Sequence, residues 1–226
     1  MQFDFSKKNT TRFIEQNLHN LAYAQFEGVG EYDMPALLPT HISKEIVEHT
    51  PLQGFNFVLS DKKRSLKACH FFLHDYQFER VWKYPDRYVE VLRQYRFVLS
   101  PQFSTYDDMP KATKIFNMYR NKWCARYWQE CGITVVPTIA WSANDDFEYY
   151  MDGIPKHSVI AISTMGDGRW GGYKQFYKYY DKTVDYLEPE LIILYGKDLS
   201  KGLKGNIVYK GMISRKVTEE ELNGCR

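Results

Sequence analysis

From about residue 55 the chain alternates short apolar runs with segments of helical period, and this pattern constrains the fold more than any other feature. The apolar runs are Phe55–Leu59, Cys69–Leu73, Arg96–Ser100, Ile133–Ala140, Ser158–Thr164, Leu191–Tyr195 and Asn206–Tyr209. Several are continuous rather than alternating, as strands buried on both faces require, and strands separated by helices form parallel sheets. The expected fold is therefore α/β, either a (β/α) barrel of the TIM type, complete or incomplete in strand number, or an open doubly wound parallel sheet. Periodicity does not separate the two. The lack of a GxGxxG after the early strands and a length of 226 residues favour the barrel.

The helices between the strands carry their own punctuation. One spans Met109 to about Cys131, with Asp107 and Asp108 as N-cap acceptors, Pro110 in the first turn and Gly132 after the last. Its apolar stripe is Ala112, Ile115, Phe116, Tyr119, Trp123 and Tyr127. A second helix, Tyr173 to about Leu187, turns Tyr173, Phe176, Tyr177, Tyr180, Val184 and Leu187 to one face and stops before Pro189. A shorter one follows Pro85, with Tyr88, Leu92 and Tyr95 inward. Residues 1–50 are irregular apart from an amphipathic stretch at Thr11–Tyr23, and 216–226 form a polar tail or helix. No linker interrupts the pattern, so a single α/β domain over 1–226 is expected.

Composition narrows the function. Thirty Lys and Arg against 28 Asp and Glu leave a formal charge of +2, which gives no global field for duplex DNA or an anionic membrane. A mean hydropathy of −0.51 without a long apolar run excludes a transmembrane helix. The start, MQFDFSKKNT, lacks an apolar core and a cleavage site, so a cytoplasmic location is expected. Cys69, Cys124, Cys131 and Cys225 show neither CxxC nor CxxH spacing and read as buried small hydrophobes. No HExxH or HxH marks a metal site. Eighteen Tyr, 14 Phe and five Trp imply a core and a cleft built from rings.

Five separated stretches, HFFLHDYQFERVW (70–82), FVLSPQFSTYDDMP (97–110), VVPTIAW (135–141), MDGIPKHSVIAISTMG (151–166) and LIILYG (191–196), resemble in the same order a family of bacteria, plasmids and phages, the domain of unknown function DUF4417. The resemblance covers about residues 20–210. It implies a mobile-element context and a single domain, and carries over no activity.

In both candidate folds ligands sit beyond the carboxyl ends of the parallel strands. Asp75, after the second run, is the first candidate for a general base or metal ligand, since a carboxylate among rings would be desolvated and its pKa raised. It could equally cap a helix through Phe78–Trp82. Ser104 and Tyr106, with Gln102, lie in a hydroxyl- and amide-rich loop able to orient a polar ligand, or simply to form turns. Ser163, Thr164 and Tyr195 end later strands. Gly166–Gly172, with four glycines and Arg169, could present backbone N–H groups and a guanidinium to phosphate, although it lacks the Lys-Ser/Thr of a Walker loop. Trp141, Trp170, Tyr76, Phe103 and Tyr106 could gather there and stack a base or sugar.

The leading expectation is thus a mobile-element protein that binds a nucleotide or another phosphorylated small molecule at the strand ends, as a hydrolase or transferase, with no cofactor identifiable. In that reading Asp75 serves as acid or base and Arg169 holds phosphate. The rival is a non-catalytic module binding nucleic acid or a host protein through a positive face, built from Lys111, Lys114, Arg120, Lys122 and Arg126 on one helix and Lys174, Lys178 and Lys182 on another. A glycosidase lacks an identifiable carboxylate pair.

Overall fold

The computed structural model describes residues 26–142, 147–165 and 173–223. A hairpin of β1 (Gly28–Val29) and β2 (Met34–Pro35) precedes α1 (Lys44–Glu48), and parallel strands follow, separated mostly by helices. They are β3 (Leu52–Gly54), β4 (Ala68–His70), α2 (Arg80–Lys83), α3 (Val89–Leu92), β5 (Val98–Leu99), α4 (Lys111–Glu130), β6 (Val135–Val136), β7 (Thr138–Ile139), α5 (Phe147–Met151), β8 (Val159–Ser163), α6 (Lys174–Leu187), β9 (Leu191–Gly196), β10 (Ile207–Gly211) and α7 (Glu219–Asn223).

Two four-stranded parallel sheets result, β3-β4-β5-β6 and β7-β8-β9-β10. They meet at Pro137, which has no N–H to donate and interrupts a single run of extended chain. Before it, Val135 and Val136 pair with Val98 and Leu99; after it, Thr138 and Ile139 pair with Ala161 and Ile162. The proline carbonyl accepts from Ala161 N–H at 2.8 Å, and Thr138 N–H turns to the Ser100 hydroxyl at 2.8 Å. The chain thus leaves one sheet and enters the other with its polar groups satisfied.

Side-chain alternation gives the sheets two different faces. Leu52, Ala68, Leu99, Val136, Ala161, Ile193, Tyr195 and Val208 form one cluster on the inner face, drawn from strands of both sheets. On the outer face Cys69, Val98 and Val135 pack with Trp123, Cys124 and Trp128 of α4, and Ile160, Ile162, Ile192 and Leu194 pack with Phe176, Tyr180 and Leu187 of α6. Each fully buried large aliphatic or aromatic side chain contributes roughly 1.5–3 kcal/mol, so these layers dominate the stability.

Among the described residues the strands do not close into a barrel. Among the described residues no backbone pairing joins β10 to β3. At that seam the buried Gln53 side chain instead donates to Arg215 O at 3.3 Å and accepts from Val217 N–H at 2.8 Å. Two local expectations also change. Phe55–Leu59 is not a strand: Phe55–Phe57 is a 3-10 turn whose Phe55 stacks on Phe71 at 4.7 Å, and the strand lies just before it at Leu52–Gly54. The α4 N-cap is Pro110 rather than an aspartate, and Asp107 accepts from Ser142 instead.

At the amino ends of the strands Lys67 and Asp61, both buried, form an ion pair of 2.6 Å. The Tyr95 hydroxyl donates to the second Asp61 oxygen at 3.1 Å. The stretch Thr11–Tyr23 lies outside the described residues.

Candidate functional site

The carboxyl ends of β4, β5 and β7 converge on α4, which is buried along most of its length. Its burial includes Lys114, Asn117, Arg120, Asn121 and Lys122. Buried polar side chains must find partners, and here most of the partners are strand-end loops. Asn121 accepts from Phe103 N–H at 2.7 Å, and Asn117 donates to Ser104 O at 2.5 Å. Arg120 donates to Asn117 at 3.0 Å and to both Glu79 oxygens at 2.8 and 2.9 Å, with its guanidinium 3.5 Å above the Phe103 ring. Lys114 reaches the Ser142 hydroxyl at 3.3 Å.

Asp75 and Ser104, which follow different strands, are brought into contact. The Ser104 hydroxyl donates to Asp75 Oδ1 at 2.8 Å, and the Ser104 N–H lies 3.1–3.2 Å from the two carboxylate oxygens. Asp75 is the first residue of a 3-10 turn, Asp75–Gln77, rather than the cap of a longer helix. Half-buried, it holds the loop after β5 against the loop after β4.

The other candidates divide. On the inner face Tyr195 lies against His70 and Phe72, each at 4.7 Å between ring centroids. Burial lowers the His70 pKa to about 3, so the ring is neutral. Its Nδ1 accepts from Phe72 N–H at 3.2 Å, which assigns the proton to Nε2, 3.5 Å from the Tyr195 oxygen. Burial raises the Tyr195 hydroxyl, and the Ile213 N–H lowers it in part. Ser163 accepts from Met165 N–H at 3.0 Å. Thr164 clamps two strand ends: its hydroxyl faces Tyr195 O and Lys197 O at 3.3 and 3.2 Å and accepts from Lys197 N–H at 2.7 Å. Gly196, at φ 116°, is required there, because a Cβ would meet that hydroxyl at 2.6 Å.

Gln102 is half-buried and Tyr106 exposed in the loop after β5. The expected gathering of rings is not formed by the described members. Trp141 packs on Phe176 and Tyr179, Phe103 lies buried against Phe78, and Tyr76 is exposed beside His74. Gly166, Arg169 and Trp170, with the rest of Gly166–Gly172, lie outside the described residues.

The positive face expected on α4 is overturned. Lys114, Arg120 and Lys122 are buried, and the half-buried Arg126 pairs with Glu130. Lys122 donates to Tyr149 O at 2.9 Å; burial lowers its pKa to about 7, and the nearby Asp152 raises it in part. Lys174, Lys178 and Lys182 are exposed. Cys69 and Cys124 are buried and Cys131 half-buried; burial pushes all three thiols up, so none is poised as a thiolate, and Cys225 lies outside the described residues. Among the described residues no group of three His, Cys, Asp or Glu side chains is placed to hold a metal ion, and no helix is long and apolar enough to cross a membrane.

The family model described as a domain of unknown function, DUF4417, matches residues 26–209. The chain belongs to this family. Its relatives include two mycobacteriophage proteins, each called Gene 1 protein. That of phage L5 is 35% identical over 173 residues, which is 76% of this chain and 74% of the relative. That of phage D29 is 41% identical over 132 residues, 58% of this chain and 48% of the relative. No solved structure matches significantly. The DUF4417 match takes in every strand-end residue described above.

Asn117 and Asn121 are not among the residues singled out on sequence, and Lys114 and Arg120 are expected there only on an outward positive face. A signal for them exists: Lys114, Asn117 and Asn121 follow one another at steps of three and four, a polar stripe on the helix that also carries Trp123, Cys124 and Trp128.

Proposed function

We propose that this DUF4417 protein binds a nucleotide or another phosphorylated small molecule at the carboxyl ends of its parallel strands and acts on it as a hydrolase or transferase in a phage or related element. One observation carries the reading: two buried cations of α4, Lys114 and Arg120, are turned to the strand-end loops rather than to solvent, among the carboxylates of Asp75, Glu79 and Asp107. The cations and hydroxyls at converging strand ends suit a polar anionic ligand, and the carboxylate of Asp75 suits general acid–base chemistry. In this reading Ser104, Tyr106 and Gln102 orient the ligand, Ser163, Thr164 and Tyr195 border it, Trp141 backs it, and Gly166 with Arg169 holds phosphate. The two sheets are then halves of one incomplete barrel, open between β10 and β3. The consecutive strand order and the inner cluster common to both sheets support that arrangement. Burial of three of the five basic residues on α4 weakens the reading of a nucleic-acid-binding face there, while Lys174, Lys178 and Lys182 of α6 stay exposed.

The test is a thermal-shift panel of nucleotides, sugar phosphates and their unphosphorylated counterparts, run on the wild type and on Arg169→Ala. A dose-dependent rise confined to phosphorylated compounds, and reduced in the variant, is the expected result. A flat panel on folded protein, or equal shifts with nucleosides and nucleotides, overturns the proposal.

A further inference from the structure

We infer that Ser142 is a nucleophile for phosphoryl transfer, set between Asp107 as its base and Lys114 as its electrostatic support. The Ser142 hydroxyl donates to Asp107 Oδ1 at 2.6 Å and accepts from Lys114 Nζ at 3.3 Å. Ser142 and Lys114 are 3% and 2% exposed, whereas Asp107 is exposed. The hydroxyl is thus held in a desolvated setting that reaches solvent beside its proton acceptor. A serine alone is a weak nucleophile, and it is activated by an adjacent base within hydrogen-bond reach. A positive charge beside the oxygen favours the alkoxide as it forms, and favours an anionic electrophile.

Three elements fix this geometry independently. Ser142 follows β7, the strand that turns at Pro137 into the second sheet. Asp107 lies in the loop after β5, whose Phe103 and Ser104 are tied to Asn121 and Asn117. Lys114 lies in the first turn of α4, where Pro110 O accepts from its backbone N–H at 3.1 Å. A carboxylate and an ammonium group thus reach the Ser142 hydroxyl from two other elements, and unlike the buried Asp61 this carboxylate stays open to solvent.

The reaction balances without a cofactor. Ser142 Oγ attacks the phosphorus of a phosphate ester and its proton passes to Asp107. As the Oγ–P bond forms, the bond from phosphorus to the leaving oxygen breaks on the opposite side, and that oxygen takes a proton from solvent. Water then attacks the phosphoserine from that side and releases a proton to solvent. The Oγ–P bond breaks, and Ser142 recovers the proton from Asp107 as inorganic phosphate leaves.

The inference rests on the phosphorylated-ligand reading, and its test separates the two. The full chain is incubated with a fluorophosphonate, followed by intact mass and peptide mapping, with and without the nucleotides of the thermal panel. The expected result is a single phosphonyl adduct on Ser142, absent in Ser142→Ala and about 100-fold slower to form in Asp107→Asn, the range of a general base. Circular dichroism and melting of each variant show that the fold is kept. No adduct on folded wild type, an adduct on another residue, or an unchanged rate in Asp107→Asn overturns the nucleophile. A nucleotide that shifts melting while no adduct forms leaves the binding reading intact. An adduct on Ser142 that no phosphorylated compound slows retains the nucleophile and removes the ligand reading.

Discussion

The two ends of the strands use similar residues to opposite purpose. At the amino ends Lys67, Asp61 and Tyr95 are all buried, and the carboxylate takes a proton donor on each oxygen. At the carboxyl ends each network reaches solvent: Asp75 and Ser104 are half-buried, Glu79 faces water beyond Arg120, and Asp107 is exposed beyond Ser142. A closed network can only hold the fold. An open one holds the fold and also offers a charged or hydroxyl group to a ligand. The lesson is that access to one member, more than residue type, separates the structural end from the candidate site.

Breaking the closed end should have the largest effect. Asp61→Ala leaves the Lys67 ammonium buried without its carboxylate and should destabilise the protein by about 3–5 kcal/mol in urea unfolding. A loss below about 1 kcal/mol would mean that this end is as permissive as the other.

Lys122 sharpens the comparison, because it is a buried cation whose described partner is a carbonyl rather than a carboxylate. Its folded pKa, about 7, lies below its ordinary 10.5. Between those values the unfolded chain holds a proton that the folded chain does not. Stability therefore rises with pH across that window by up to about 1.4 kcal/mol per unit, and this contribution is flat below it. Lys122→Met should abolish that slope and raise the melting temperature at pH 7. A slope that persists in the variant would assign it to another group.

The smallest effect is expected at the open end. Asp75→Asn keeps one acceptor oxygen for Ser104 and should cost about 1–1.5 kcal/mol, as for a single hydrogen bond, while impairing whatever the site does. A loss as large as that of Asp61→Ala would make Asp75 a structural residue.

Much of the fold was legible in the sequence, because burial on both faces leaves continuous apolar runs. Ser158–Thr164 and Leu191–Tyr195 coincide closely with β8 and β9, and α6 ends at Leu187 as Pro189 foretells. Tyr88, Leu92 and Tyr95 are buried as their spacing indicates. Leu52–Gly54 was not legible: Leu-Gln-Gly has no β-branched residue, and its pairing with Ala68–His70 makes it a strand. The run Phe55–Leu59 misled because its Phe55 ring packs on Phe71, stacked, and on Tyr88, edge-on, rather than serving a ladder.

The site was legible in part. Strand ends and loops pointed to Asp75 and Ser104, whose contact the pattern alone could not give. The α4 contribution was hidden by the assumption that Lys and Arg on a helix face water. Arg120 instead lies over Phe103 and grips Glu79, and Lys114 turns to Ser142. A basic residue at helical spacing among buried rings is better read as a partner for strand-end polar groups.

The most direct test of the account is a calorimetric titration of the protein with the nucleotide that most raises its melting temperature, set beside the corresponding nucleoside. Binding at least about tenfold tighter for the nucleotide, a difference of about 1.4 kcal/mol, and weakened in Lys114→Met, is the predicted result. Equal affinities, or a nucleotide affinity untouched by that substitution in a folded variant, would contradict it.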